Sequence, residues 1–461
     1  MGLVRPAHRV PERLMATDGS VALVVFTRDL RVADNPALTR ATRASKVVCA
    51  FIHDDALRLG RPMHPLRAWF LSECLADLDA SLRRLGSRLE VREGNWVDEV
   101  LGLAAQSGAR SIHLSDDVTP YAQRRFARLE AAVGQTVEVC RSPGLTILPP
   151  GVLTPAGGDH YRVFTPFYRR WLTTPRRQLL PPPTSLPTVD STNPRPRSRS
   201  AKTLPTPPLP PGVGPGGEHA AATRLATWAA GGITRYGEHR DDLAEAANSG
   251  LSRDLHFGCL SPLQVEAVID GLPGAGPFLR QLCWRDFYLQ ILAARPEAAW
   301  SDYVERGRRS RKDPVGLEAW RRGLTGVPIV DAAMRQLALE GFLPNRARMI
   351  AASFLTRNLG LDWRDGARHF LEHLVDADVA LNNLNWQWMA GRGTGANPHR
   401  VLSPTRQGHR FDPDGTYVRR HVPELLGLDS AWVHEPWRLG RRQLARLGYR
   451  APIVPPGEVA A

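Results

Sequence analysis

DADVALNNLNWQW, residues 376–388, is the stretch of this 461-residue sequence that most constrains its fold and its site. Two acids, side-chain amides and two tryptophans lie here among apolar residues suited to a core. Acids and amides are costly to bury unless each finds a partner. The pattern therefore predicts a buried polar site, and its Trp-x-Trp pair suggests that the site holds a flat aromatic ligand.

A helix predicted to begin at Asn345 carries residues that would complete this site. Asn345, Arg348 and Met349 share one face of it, because residues three and four apart are neighbours on a helix. Arg348 is a natural partner for Asp376 or Asp378, which would otherwise be uncompensated charges inside the protein. A structural salt bridge explains this pairing without a ligand, but it does not explain the amides and tryptophans nearby.

The helix predicted over 277–296 has a face that combines polar and aromatic groups. Gln281 and Arg285 are four residues apart and share that face, with Trp284 on the adjacent row. An aromatic stripe at helical spacing usually means core packing, and that interpretation stays open. A face that is both polar and aromatic on an otherwise apolar helix favours a binding site.

A second candidate is Tyr236, followed by NSGLSRDLHFGCLSP at 248–262. Hydroxyls and backbone N–H groups in a Gly/Ser turn can cradle a pyrophosphate. The alternative is an ordinary helix start, because Ser-Pro is common at that position.

The first 150 residues alternate between short β-rich runs and helical patterns, the latter over 65–86 and 120–134. This alternation predicts a parallel, Rossmann-like sheet covered by helices on both faces. No G-x-G-x-x-G follows the first strand, so a dinucleotide site there has no support. The predicted strands are 22–27, 47–52, 88–93, 111–116 and 137–142.

Residues 181–217 are too rich in proline for regular structure and predict a long tether, whereas the pattern from 218 onward is helical almost throughout. We therefore expect an α/β N-terminal domain joined by a long Pro-rich linker to a large all-α C-terminal domain. The expected bounds are a disordered extension over 1–20, the α/β domain over 21–150, the linker over 151–217 and the helical domain over 218–455. Predicted helices of the last domain include 277–296, 328–341, 345–360 and 363–375.

The composition limits the classes of protein that fit. A net charge of +14 favours a protein that binds nucleic acid. Nearly all of the basic side chains are arginine, but a GC-rich genome also replaces lysine with arginine without any functional cause. No apolar run approaches the roughly 20 residues of a membrane span, and the N-terminus lacks the apolar segment of a secretory signal. Five scattered cysteines without a C-x-x-C pair argue against disulfides, a zinc site or an iron–sulfur cluster. We expect a cytoplasmic protein without a metal site.

Several blocks of the sequence resemble the photolyase/cryptochrome flavoproteins, in the right order over roughly residues 21–455. TGVPIVDAAMRQL (325–337) resembles that family's TGYPIVDAAMRQL, and FTRDLRVADNPAL (26–38) resembles its WFRRDLRLxDNPAL opening. The pattern is most like the class I cyclobutane pyrimidine dimer photolyases of bacteria that use a deazaflavin antenna. The other matching blocks are VFTPFYRRW (163–171), NRARMIAASFL (345–355), LDWR (361–364), LVDADVALNNLNWQW (374–388) and FDPDGTYVRRHVPEL (411–425).

The resemblance implies a light-driven DNA repair enzyme. Such enzymes hold FAD in a U shape in the helical domain, next to a basic surface with a hole that receives a pyrimidine pair flipped out of the duplex. Photoexcited reduced FAD passes an electron to the dimer, and the electron returns after the cyclobutane ring has split. The implied partner is UV-damaged DNA, with no membrane, and we expect a monomer.

Position by position, the resemblance assigns roles to residues of this chain. Asn382 should lie near flavin N5, where an amide adapts to either protonation state. Trp284 and Trp388 should sandwich the flipped dimer, with Gln281 and Met349 lining the same pocket. The expected phosphate-contacting residues are Arg346 and Arg400. The expected FAD contacts are Tyr236, Ser249, Leu251, Ser252, Arg285, Asn345, Arg348, Asp376, Asp378 and Asn382.

Departures from the family pattern bear on function. Gln281 stands where dimer photolyases usually carry a glutamate, so it can pair with a pyrimidine edge but cannot donate a proton. Pro344-Asn345 replaces the His-His pattern of (6-4) photolyases. Trp386 and Trp363 match the two inner members of the tryptophan chain that photoreduces flavin, but Ser310 replaces the outer one. Photoreduction is therefore expected to be slow or to use Tyr303, Trp300 or Trp320.

The resemblance also places Arg67 and Asp117 where deazaflavin-type enzymes contact their antenna pigment. We expect 8-hydroxy-5-deazaflavin rather than methenyltetrahydrofolate, although Arg67 is equally well explained as an ordinary surface charge. The alternatives to dimer repair are a cryptochrome-type blue-light photoreceptor, a (6-4) photolyase-like protein and a redox-inactive DNA-binding protein. Retention of both Trp284 and Trp388 favours repair.

Overall fold

A computed structural model describes the structure of residues 19–58, 60, 64–187, 214–245, 247–306, 310–397, 399 and 401–455. Nearly all of the predicted extension over 1–20, the proline-rich residues 188–213 and the predicted DNA contact Arg400 lie outside the described residues. Among the helices that are described, none is both long enough and apolar enough to cross a membrane.

The N-terminal domain is built on one parallel sheet with the strand order β3-β2-β1-β4-β5. Its strands are β1 (Val21–Phe26), β2 (Lys46–Asp54), β3 (Leu89–Gly94), β4 (Ser111–Ser115) and β5 (Glu138–Ser142). Strand β1 is an unbroken apolar run because both faces of the sheet are covered. The chain order reverses between β1 and β4, and open α/β sheets bind ligands at the carboxyl ends of such strands.

The helices of this region are α1 (Pro36–Ala41), α2 (Asp55–Arg58), α3 (Pro65–Arg84), α4 (Trp96–Ser107), α5 (Pro120–Val133) and α6 (Phe164–Thr173). Helices α1 and α3 share a core with one face of the sheet, and α4 and α5 share a second core with the other face. Side chains cap their starts, as where Thr119 Oγ1 accepts from the Ala122 N–H at the beginning of α5.

The C-terminal domain is helical. Its helices are α7 (Glu218–Thr227), α8 (Ile233–His239), α9 (Ser252–Phe257), α10 (Pro262–Ile269), α11 (Ala275–Ala294), α12 (Pro314–Arg321), α13 (Pro328–Glu340), α14 (Asn345–Ser353), α15 (Trp363–His373), α16 (Val379–Met389), α17 (Pro404–Phe411), α18 (Thr416–His421), α19 (Ser430–Val433) and α20 (Arg441–Leu447). Proline occupies the first turn of α10, α12, α13 and α17, where its missing N–H has no intrahelical partner to lose.

The structure confirms the fold class predicted from the sequence, and each predicted strand is present within two residues of its expected ends. The helix predicted over 345–360 is instead α14 followed by a π-helical turn at Phe354–Asn358. The segment predicted as a linker contains α6, whose Phe167 and Trp171 are buried, so its first part is packed structure. The domain bounds themselves stay a prediction.

Buried polar contacts join the sheet domain to the helical domain. The guanidinium of the fully buried Arg31 donates to the carbonyl oxygens of Gly144 (3.0 Å) and Gly258 (2.9 Å). At Gly258 the backbone has φ +70°, and a Cβ there would lie 1.9 Å from the carbonyl oxygen of Arg28. Only glycine permits this approach of the two backbones. The orientation of the domains is therefore fixed by specific contacts.

Candidate functional site

A cavity of about 530 Å³ lies in the helical domain between α8, α9, α11, α14, α15 and α16. Its volume is typical of a site for a cofactor or other small molecule. It brings together most of the predicted site residues, namely Tyr236, Ser249, Ser252, Gln281, Trp284, Arg285, Asn345, Arg346, Arg348, Met349, Asp376, Asp378, Asn382, Trp386 and Trp388. Leu251 and Trp363 do not line it.

Asp376 forms the ion pair with Arg348 that the sequence predicted, with 2.8 Å between Arg348 Nη2 and Asp376 Oδ2. Burial alone would raise the pKa of the Asp376 carboxyl, but Arg348 and the Ser252 hydroxyl together hold it below its ordinary value. Asp376 is therefore a carboxylate. The pair supplies a fixed acceptor and a guanidinium at the cavity wall.

Asp378 has a different partner from the one considered in the sequence. Its side chain accepts from the Leu381 N–H at the start of α16 (3.0 Å), and it also pairs with Arg28 of the sheet domain. Although burial favours its neutral form, the charges of Arg28 and then Arg285 lower the pKa of Asp378 far below its ordinary value. Arg28 also pairs with Asp117 at 3.3 Å, so one guanidinium joins carboxylates of both domains.

Sequence reasoning missed Arg28 as a site residue. It belongs to the FTRDLR block that was recognised as a family marker, but its partner Asp378 is 350 residues away. The signal available was an arginine two residues after a buried strand, at the carboxyl edge where ligands bind. Several other cavity residues received no individual role from the sequence, although some lie in the stretches that it singled out, namely Arg240, Asp241, Asn248, His256, Phe278, Tyr288 and Asn385.

Asn382 is oriented by neighbouring groups on α15 and α16. Its Nδ2 donates to the carbonyl oxygen of Ala367 (2.9 Å) and to Oδ1 of Asn383 (2.8 Å). Asn383 in turn donates to the carbonyl oxygen of Ala299 at 2.5 Å. Because both contacts use Nδ2, the Asn382 side chain is held in one orientation at the wall of the cavity. Its predicted position at flavin N5 stays a prediction.

Helix α11 contributes the polar and aromatic face that its sequence predicted, since Gln281, Trp284 and Arg285 all line the cavity. Trp284 stacks on Phe164 of α6, with ring centroids 3.6 Å apart and planes within 2°. Arg280 lies over the same phenylalanine at 4.9 Å. One face of the Trp284 indole is thus taken by Phe164, which fixes the plane of the ring that borders the cavity.

The predicted phosphate turn is only partly at the cavity. Ser249 and Ser252 line it, whereas the fully buried Leu251 does not. The Leu251 N–H instead donates to Ser249 Oγ at 3.3 Å, closing the turn before α9. The Leu251 side chain therefore does not reach the cavity, and only the backbone of this turn is placed to make the FAD contact that was expected of Leu251. Tyr236 lines the cavity, with its ring edge-on to Phe278.

Arg346 lines the cavity, and its Nη2 lies 2.6 Å from Asp241 Oδ2. Its guanidinium also lies 4.2 Å from the centre of the Phe411 ring. A DNA phosphate at this arginine would share it with Asp241. Contact with phosphate stays a prediction for Arg346, and Arg400 lies outside the described residues.

The tryptophans predicted to carry electrons are both buried. Trp386 lines the cavity, and Trp363 donates from Nε1 to Asp302 Oδ1 at 2.8 Å. Of the alternative donors, the fully buried Trp320 meets Trp386 edge-on, with centroids 5.9 Å apart. The hydroxyl of Tyr303 is hydrogen-bonded to His160 Nε2, with 2.7 Å between the two atoms. The electron route stays a prediction.

A second cavity, of about 460 Å³, lies at the carboxyl ends of β1 and β4. It is lined by Arg28 and Asp117, and Arg285 borders both cavities. Arg67, the other predicted antenna contact, does not line it; its Nε donates to the carbonyl oxygen of Leu374 at 2.9 Å, at the end of α15. The structure thus gives Arg67 a contact between domains that accounts for it without a pigment.

Comparison with known proteins agrees with this architecture. Residues 22–187 match the family model described as DNA photolyase, and residues 278–459 match the FAD binding domain of DNA photolyase. A deoxyribodipyrimidine photo-lyase from Streptomyces griseus is 46% identical over 451 residues, which is 96% of this chain and 98% of that protein.

Solved structures are similar over the same length. A bacterial class III photolyase from Agrobacterium tumefaciens superimposes with a TM-score of 0.88 at 32% identity, covering 97% of each chain. A cryptochrome from Synechocystis superimposes with a TM-score of 0.86 at 28% identity, covering 96% of this chain and 98% of that one. The fold is thus common to repair enzymes and cryptochromes. With two matching family models and a close full-length relative, this chain belongs to the DNA photolyase family and contains its FAD-binding domain.

Proposed function

We propose that this protein is a deoxyribodipyrimidine photo-lyase that uses light to split cyclobutane pyrimidine dimers in DNA, as a class I type enzyme. The observation that carries the proposal is that Trp284 and Trp388 border the same cavity as the polar groups predicted to hold FAD. Two indoles in the wall of one cavity provide flat surfaces on which the bases of an extruded dimer can stack. A dimer placed there would adjoin the cofactor.

The residues present fit FAD. The cavity wall holds a buried imidazole nitrogen, His256 Nδ1, that has no hydrogen-bond partner in the described protein. The guanidinium groups of Arg285 and Arg348 supply donors, and Asp376 supplies an acceptor. A dinucleotide offers matching phosphates, hydroxyls and ring edges. When bound, reduced FAD supplies the photoexcited electron for splitting of the dimer and accepts it again afterwards.

The protein's own contribution is position and electrostatics. Asp378 and Arg28 fix the start of α16, and the contact of Asn382 with Ala367 fixes α16 against α15. Gln281 lies on the cavity wall, where its amide can donate to and accept from a pyrimidine edge. An amide cannot supply a proton, so these contacts hold the dimer without acid catalysis.

The cavity favours dimer repair over (6-4) repair, for which the family pattern uses a histidine acid. The only histidine among the described lining residues is His256. Burial, and then the positive charge of Arg28, lowers the pKa of His256 to about 3, so its ring is neutral near pH 7. A neutral imidazole with so low a pKa is a poor match to proton donation.

We expect the FAD-loaded, chemically reduced protein to repair an oligonucleotide that carries one cyclobutane dimer when it is illuminated. The measurement is the recovery of absorbance in the base band, because splitting restores two aromatic pyrimidines. The same mixture kept in the dark, and an undamaged oligonucleotide under light, should show no change. Absence of recovery while flavin remains bound would point to a photoreceptor instead.

We further propose that the second cavity binds the antenna pigment, with 8-hydroxy-5-deazaflavin as the expected ligand. Support comes from its place at the topological switch point of the sheet and from Asp117 in its wall. Asp117→Ala should weaken retention of added deazaflavin about tenfold or more, as for a lost charge-assisted contact. Repair driven at the FAD band should persist, because Asp378 keeps its ion pair with Arg28 in this variant. A pigment retained equally by the variant would contradict this site.

Other features of the proposed enzyme remain predictions. UV-damaged DNA is the proposed partner, and the net charge of +14 favours an anionic one. A monomeric state and a cytoplasmic location are further expectations from the sequence.

A further inference from the structure

We propose that His369, Glu372 and His373 bind a divalent transition-metal ion, with Zn²⁺ as the expected occupant, on the last two turns of α15. A ring nitrogen of each histidine and a carboxylate oxygen of Glu372 all lie within 4.8 Å of one another. The expectation of a protein without a metal site was based on its cysteines alone. This proposal does not depend on the proposed function.

The spacing HFLEH places the three side chains together. His369 and His373 are four residues apart and Glu372 is three residues after His369, so all three project from one face of the helix. The imidazole rings already face each other, with centroids 4.1 Å apart and an angle of 39° between their planes. Small changes in side-chain torsion would bring their nitrogens to Zn–N distances of about 2.0–2.1 Å.

An unpartnered nitrogen points to a ligand. His369 is only 7% exposed, and its Nε2 atom is buried without a hydrogen-bond partner in the described protein. Buried polar atoms almost always have a partner, so an orphan of this kind calls for an explanation such as an ion.

His373 is arranged to offer its other nitrogen. Its Nδ1 lies 2.9 Å from the carbonyl oxygen of His369. Because a carbonyl oxygen only accepts, Nδ1 carries the proton, and in the neutral ring Nε2 then carries the lone pair. A ring N–H bonded to a backbone carbonyl is the usual support of a metal-binding histidine.

The neighbouring residue His64 does not add a fourth ligand to the set of three. His64 is close to His373, but its Nδ1 accepts from the Leu66 N–H at 3.3 Å and its Nε2 contacts the carbonyl oxygen of Ala338 at 3.2 Å. Arg321 adds a positive charge near His369. Two imidazoles and one carboxylate form a set that Zn²⁺ accepts, with a fourth position left for water.

A metal here would stabilise α15 rather than take part in the repair reaction. This helix carries the Ala367 carbonyl that holds Asn382, and its Phe370 lines the large cavity. Just past its end, the Leu374 carbonyl oxygen accepts from Arg67 of the sheet domain. Fixing the last turn would therefore stabilise the contact between the domains along with the cavity wall.

The test is a Zn²⁺ titration of the full-length, FAD-loaded protein after treatment with a chelator. Calorimetry should give a site occupied by one equivalent per chain, and Zn²⁺ should raise the melting temperature. His373→Gln and Glu372→Gln should each weaken Zn²⁺ binding at least about tenfold and abolish the thermal shift. Both residues are partly exposed, and retained flavin absorbance would show that the variants are folded.

The matched control is His239→Gln. His239, Asp242 and Glu245 form the other histidine–acid group of the described residues, but Glu245 there is already paired with Arg235 at 2.6 Å. The control should bind Zn²⁺ like the unaltered protein. Co²⁺ should give tetrahedral visible absorption in the unaltered protein and in this control. A protein without a Zn²⁺ site, or His373→Gln with full affinity, would overturn the proposal, as would loss of the site in His239→Gln.

Discussion

Asp378→Asn is expected to lower the free energy of unfolding by about 3–5 kcal/mol, as when one partner is removed from a buried ion pair. The side chain of Asp378 is 2% exposed and that of its partner Arg28 is 18% exposed. Asparagine also caps helices well, so α16 keeps its N-cap and the change isolates the lost charge. The measurement is the shift of the urea unfolding midpoint, read by flavin fluorescence and by circular dichroism.

Two further variants make the origin of this loss specific. Arg28→Met combined with Asp378→Asn should be less damaging than the sum of the single changes, because the pair is then removed as a whole. Asp55→Asn, in an exposed pair with Arg58, should leave the midpoint unchanged. An equal loss in Asp55→Asn, or full additivity in the double variant, would show that the Arg28–Asp378 pair is not the cause.

The same loss should depend on pH in a defined direction. The pKa of Asp378 is lowered in the folded protein, chiefly by Arg28 and Arg285 acting against burial. The stabilising contribution of the carboxylate is therefore fully present above its unfolded pKa of about 3.9 and is lost as the pH falls below that value. The difference between the original protein and Asp378→Asn should be constant at neutral pH and shrink in acid.

The parts predicted correctly from sequence are those that depend on neighbouring residues. Alternating strands and helices specified the sheet, and the helical face at Asn345 led to the Arg348–Asp376 pair. Asp376 and Asp378 were recognised because buried carboxylates need partners. The local pattern did not show that Asp378 would find its partner in Arg28, since that contact exists only after the two domains have met.

Features that arise from domain packing were beyond sequence reasoning. Phe164 stacks on Trp284 although 120 residues separate them, and no periodicity connects α6 to α11. Arg67 was assigned to an antenna because of its position in a family pattern, yet its donors are turned toward carbonyl oxygens at the end of α15. The histidine pair of HFLEH was different, because its spacing was present in the sequence and was overlooked.

Replacing both Trp284 and Trp388 with alanine should weaken binding of dimer-containing DNA by about 2–6 kcal/mol, since each lost base–aromatic stack costs about 1–3 kcal/mol. Both indoles border the cavity. Affinity for undamaged DNA should hardly change, because contacts to phosphate provide it. The measurement is binding in the dark to matched oligonucleotides with and without one dimer, at a fixed salt concentration.

The single variants and a surface control locate the effect. Trp432, which is 38% exposed on α19 and does not line the cavity, is a suitable control, and Trp432→Ala should bind damaged DNA normally. Trp284→Ala should lose less binding free energy for damaged DNA than the double change. Phe164→Leu should lose less still, because it removes only the stacking contact that holds the Trp284 ring in its plane. Equal losses for damaged and undamaged DNA would mean that the indoles act on the duplex surface and not on a flipped dimer. Retained flavin absorbance in every variant is required, because these side chains share the cavity with the proposed cofactor contacts Asp376 and Asn382.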